Sequence, residues 1–101
     1  MKEKKVNPQS EDNLLEEIPP IITAARTGDY PESARRINIF LQHLQKELSK
    51  GYISGKEIAK ITYSLETMFA MQQMSDWVAF ADVLEYEFMP LWRSCAKARK
   101  N

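Results

Sequence analysis

The sequence predicts an all-α single domain, an antiparallel bundle of two helical hairpins with about four helices. Three observations point there. Apolar residues recur at helical spacing from Leu14 to Cys95. Capping residues, glycines and prolines cut that pattern into segments of helix length. The chain of 101 residues is 44% apolar and 28% charged, ordinary globular composition. At this length a chain buries roughly 60–65% of its unfolded surface, enough for one core without staples. The domain is expected to span residues 10–98, between a disordered tail at 1–9 and a frayed end at 99–101.

Residues 1–9 are polar, with one proline and no periodicity. Ser10-Glu11-Asp12-Asn13 supplies a hydroxyl cap and acids for a first turn. Leu14, Leu15, Ile18, Ile21, Ile22 and Ala25 follow on one face, interrupted by Pro19-Pro20. Proline lacks the N–H and crowds the preceding turn, so a kink is expected there, or a short helix and a second one starting near Pro19. Thr27-Gly28-Asp29 closes this element, Gly28 as a left-handed end and Asp29 as the next N-cap.

The second helix is expected to run to about Ser49. Its inner stripe reads Tyr30, Ala34, Ile37, Leu41, Leu44 and Leu48, with Arg35, Arg36, Gln42, His43 and Lys46 opposite. Ser54 and Glu57 make a capping box for a third helix to about Met74. Its stripe is Ile58, Ile61, Leu65, Met68 and Phe69, with Gln72 in the middle. Ser75-Asp76 recaps the chain for a fourth helix, from Trp77 to about Lys97. Trp77, Ala81, Leu84, Phe88, Leu91 and Cys95 line it, flanked by Phe80 and Trp92. Pro90 predicts a kink or a restart.

A shift of 47 residues aligns the two halves. Asp29-Tyr30 meets Asp76-Trp77, Ala34 meets Ala81, and Ile37 meets Leu84. Leu41 then meets Phe88, Leu44 meets Leu91, and Leu48 meets Cys95. Heptad spacing alone produces most of these matches, so duplication and coincidence both stand. Either way, each hairpin has one apolar face to bury against the other.

Charge and composition narrow the functional classes. Fourteen basic residues balance fourteen acidic ones, which argues against a dedicated nucleic-acid binder. No apolar run approaches the roughly 18 residues of a membrane span, and no signal-peptide core follows the basic start Met1-Lys2-Glu3-Lys4-Lys5. A cytoplasmic setting is expected. The single cysteine, Cys95, excludes an internal disulfide and sits on a core stripe, where an inert buried thiol is expected. His43, the sole histidine, falls on a polar face. No histidine or cysteine cluster has metal-ligand spacing, and no phosphate loop is present. Neither an enzyme nor a cofactor is expected.

Two groups of side chains carry functional readings. Asp82 and Glu85 share a face, pairing with Arg35, Arg36 or Arg93 or simply solvated. Glu87 at the core edge and Gln72 within its stripe read as paired boundary groups. They also read as the lining of a small inter-helix pocket with Trp77 and Trp92. More informative are apolar residues on the wrong side: Val78, Val83, Tyr86 and Met89 on the fourth helix, and Ala59, Tyr63, Ala70 and Met74 on the third. A surface helix is ordinarily polar there. The N-terminal segment from Leu14 to Ile22, a second copy of the chain, or another protein's helix are the three candidates to cover them. The cluster Lys97, Arg99 and Lys100 reads as a solvated cationic end.

Gly28-Asp29-Tyr30 with Ala34 resembles the start of a tetratricopeptide helix over about seven residues. The helical hairpins, polar start and Met-rich outer face are similar in style to small bacterial flagellar and secretion export chaperones. The segment from Asp82 to Leu91 also resembles one in small bacterial helical proteins. The misplaced apolar residues carry the functional expectation: a non-enzymatic interaction module, adaptor or small chaperone, with a protein partner or a second copy contacted through Tyr63, Met74, Val83, Tyr86 and Met89. The alternative is a ligand-binding or regulatory helical domain.

Overall fold

The computed structural model describes the backbone of residues 10–100 and the side chains of 14–95. Residues 1–9, expected as a tail, lie outside it, as do the side chains of Lys97, Arg99 and Lys100. Four helical arms make up the described residues: α1 (Ser10–Arg26), α2 (Tyr30–Leu48), α3 (Gly55–Gln73), and a fourth arm of three joined pieces. Those pieces are α4 (Trp77–Val83), a π-helical turn (Leu84–Phe88) and α5 (Met89–Lys100). The arms form a helical bundle in which α1 packs against both α2 and the fourth arm, while α3 packs against the fourth arm. The last helix continues to Lys100, past the end expected near Lys97.

Asp29 and Asp76 start two turns of matching design. Each accepts a hydrogen bond from the backbone N–H three residues on, Glu32 and Ala79 respectively. The Asp29 N–H donates to the Ala24 carbonyl at 2.9 Å, and the Asp76 N–H to the Met71 carbonyl at 2.8 Å. Gly28 and Ser75 precede them with φ of +87° and +59°. Every one of these pairs is offset by 47 residues, so the repeat read from the sequence is present in the backbone of the turns.

The structure corrects several expectations. The first helix is not split at Pro19-Pro20, because α1 runs through both prolines. Pro19 is exposed and Pro20 half-buried, so the carbonyls they leave unpaired lie toward water rather than in the core. In α2 the buried line is Ser33, Ile37, Phe40, Leu44 and Glu47, rotated from the expected stripe. Leu41 and Leu48 are only partly buried and Tyr30 is 45% exposed. The small Ser33 lets α2 approach α1, its hydroxyl 3.5 Å from the Ile21 carbonyl.

The fourth arm neither ends nor restarts at Pro90. The Met89 N–H reaches back five residues to the Leu84 carbonyl, widening the turn just before the proline. Phe80, Leu84, Phe88 and Trp92 are all 0% exposed and four residues apart. On a regular α-helix such a row drifts by about 40° per step. The π turn takes up that drift, so Trp92 rather than Leu91 sits at the centre. Val83 is 8% exposed and packed in the core, and Met89 packs partly buried against it, so neither belongs to the outer face as expected.

This turn also corrects the alignment of the halves. Ser33 and Ile37 match Phe80 and Leu84 at an offset of 47. Beyond the turn, Phe40, Leu44 and Glu47 match Phe88, Trp92 and Cys95 at an offset of 48, and all of them are buried. The π turn is therefore a one-residue insertion relative to α2. Equivalent residues also meet one another. Tyr30 stacks on Trp77 at 5.0 Å, and Phe40 meets Phe88 edge-on at 5.6 Å. The packing of the two hairpins is nevertheless not symmetric: α1 packs along the whole fourth arm, while α3 makes no comparable contact with α2.

Candidate functional site: the outer face of the second hairpin

The most exposed large apolar side chains are Tyr63 at 69%, Tyr86 at 67%, Val78 at 65% and Met74 at 64%. All four stand on the second hairpin. The helix periods of α3 and α4 put the core residues Ile61, Met68, Phe80 and Ala81 inside and leave these four outside. α1 does not cover them. Its apolar residues Leu14, Ile18, Ile21 and Ala25 are spent in the core. Of the residues expected to bind a partner, Tyr63, Met74 and Tyr86 lie on this face, while Val83 and Met89 do not. Val78, noted in the sequence for its wrong-side position, joins them.

The first hairpin provides an internal control. At the offset of 47, Glu16, Thr27 and Pro31 occupy the places of Tyr63, Met74 and Val78. Those three residues are exposed as well, so burial does not explain the apolar choice in the second hairpin. Ile39 stands in the place of Tyr86 and is 39% exposed.

Arg26, at the end of α1, fixes the side of this face. Its guanidinium reaches Asp82 and Glu85 at 2.7 Å each. The hydrogen bond to Asp82, and after it the ion pair with Glu85, hold the arginine above its ordinary pKa. Neither Arg35 nor Arg36, the partners expected for these acids, is used: both are held by Glu32. Sequence spacing gave no sign of Arg26, which meets Asp82 from 56 residues away.

The proposed pocket of Gln72, Glu87, Trp77 and Trp92 is not assembled. Glu87 is exposed because the π turn swings it out, Gln72 is half-buried, and Trp92 is sealed in the core. The cavities between helices lie elsewhere, on the first hairpin. One of about 620 Å³ opens between α1 and α2 beside Glu17, Arg36, His43, Lys46 and Glu47. In it His43 Nδ1 meets a Glu17 carboxylate oxygen at 2.7 Å. Glu47, missed in the sequence reading, is 1% exposed. It accepts from the Tyr52 hydroxyl at 2.8 Å and pairs with Lys50 at 3.3 Å. Cys95 is 2% exposed, and burial, then Glu57, push its thiol up to about 11, far from a reactive thiolate.

Among the described residues no group of three or more histidine, cysteine, aspartate or glutamate side chains could hold a metal ion. No helix among them is long and apolar enough to cross a membrane. No family model matches the chain, and no curated protein sequence or solved structure shows significant similarity to it.

Proposed function

We propose that this protein is a non-enzymatic protein-interaction module, an adaptor or small chaperone of the cytoplasm, that works through the outer face of its second hairpin. One observation carries the reading: Tyr63, Met74, Val78 and Tyr86 are 64–69% exposed where the equivalent first-hairpin positions are mostly polar or proline. Tyrosine and methionine suit such a surface. Tyrosine offers broad area with a polar tip, and methionine repacks against varied shapes. The ion pairs of Arg26 tie the end of α1 to the fourth arm, which carries Val78 and Tyr86. A second copy of the chain or another protein would each satisfy the face.

Charge substitution tests this. Tyr63→Glu with Tyr86→Glu should leave helical circular dichroism unchanged and abolish both self-association and co-purification of a partner. Loss of helicity would show that these side chains belong to the core. Unchanged association in a folded variant would show that the protein binds elsewhere.

A further inference from the structure

We infer that the occupant of the α3 side of this face is an amphipathic helix from another protein, acidic at one end. The inference rests on the reading above and deepens it. Lys56, Lys60, Tyr63, Ala70 and Met74 fall within roughly 80° of arc around α3 and span about 27 Å along it. All five are exposed. The stripe is therefore cationic over its first two turns and apolar beyond. Neither lysine forms an ion pair with any described residue. Lys56 stands in the first turn, where the helix dipole disfavours cations, so it is not placed to stabilise α3.

Such a stripe matches a helix that carries carboxylates opposite the lysines and apolar residues opposite Tyr63 and Met74. Ala70 is small and lets a partner side chain approach the α3 backbone. Glu66 lies at the edge of the stripe between Tyr63 and Ala70, so an acidic partner is excluded at that end. A second copy fits poorly. Two antiparallel α3 helices about a two-fold would set Lys56 and Lys60 against Met74 and Ala70 and leave the charges unpaired.

Two synthetic 18-residue helical peptides test the inference. They share one leucine stripe, and one carries glutamates at the end where the other carries lysines. Binding to the full-length protein is read by fluorescence anisotropy. The acidic peptide should bind at least tenfold more tightly, and added salt should weaken it. Lys56→Glu with Lys60→Glu should reverse the preference while circular dichroism stays unchanged. Equal binding of the two peptides, or no effect of the reversal, overturns the inference. So does binding of neither peptide, or a wild-type dimer that Tyr63→Glu dissociates. In those cases the interaction reading survives if Tyr63→Glu with Tyr86→Glu still abolishes association, and falls with the inference if it does not.

Discussion

Glu47 shows how single residues escape a pattern reading. Apolarity placed Leu41 and Leu48 inside, yet the buried line runs through Phe40 and Glu47. A buried carboxylate is tolerable only with partners, and these come from the following loop: the Tyr52 hydroxyl and Lys50. Tyr52→Phe removes one of them and should cost about 1–3 kcal/mol in urea unfolding, with an unchanged m-value. Ser75 is the opposite case, a residue in a strained backbone state. Its φ of +59° is where the equivalent turn places Gly28. Ser75→Gly should therefore stabilise the fold by roughly 1 kcal/mol, because glycine meets no Cβ clash in that conformation. Glu32 gives a pH signature. The Arg35 hydrogen bond, helped by Arg36 against partial burial, pulls its carboxyl from 4.5 to about 2. The folded-state value lies below the unfolded one. Its contribution to stability is thus present above about pH 4.5 and lost as the pH falls toward 2. Stability curves of wild type and Glu32→Gln should differ above pH 4.5 and converge near pH 2.

At the level of elements, helix ends were legible and helix interiors less so. Asp29, Ser54 and Asp76 cap where the sequence places caps, since the bond from a side-chain oxygen to an N–H three residues on is local chemistry. The two proline sites were misjudged because proline's cost depends on what surrounds it. In α1 the orphaned carbonyls lie toward water. In the fourth arm a π turn accommodates Pro90. The four-residue spacing of Phe80, Leu84, Phe88 and Trp92, just ahead of a proline, was the available signal. If the π turn is an insertion, deleting Glu87 should give a folded protein whose fourth arm keeps its buried register, at a cost no greater than about 3 kcal/mol from the displaced proline. Deleting Asn38 from α2 should instead throw Phe40, Leu44 and Glu47 out of register and unfold the chain. Cooperative urea transitions with near-ultraviolet circular dichroism distinguish the two.

For the whole molecule, the two hairpins meet through α1 and the fourth arm, with Tyr30 on Trp77 and Phe40 against Phe88 across the seam. The outer faces are then free to diverge. The first hairpin carries the hydrogen bond of Glu17 with His43 and the ion pair of Glu32 with Arg36, and the second carries Tyr63, Met74, Val78 and Tyr86. The sequence showed the misplaced apolar residues but not which of them were exposed. Val83 stands three residues beyond Phe80 on the regular turns of α4 and is buried, while Met89 follows the π turn and packs partly buried against the core. The comparison of equivalent positions supplies the most direct test of the interaction reading. A photoreactive benzoylphenylalanine is placed at Tyr63 or Tyr86, and separately at Glu16 or Ile39, and each protein is irradiated in cells. Covalent adducts at Tyr63 and Tyr86, with none at Glu16 and Ile39, are the expected result. Adducts confined to the first hairpin, or spread equally over both, would contradict the assignment of the second hairpin as the binding face.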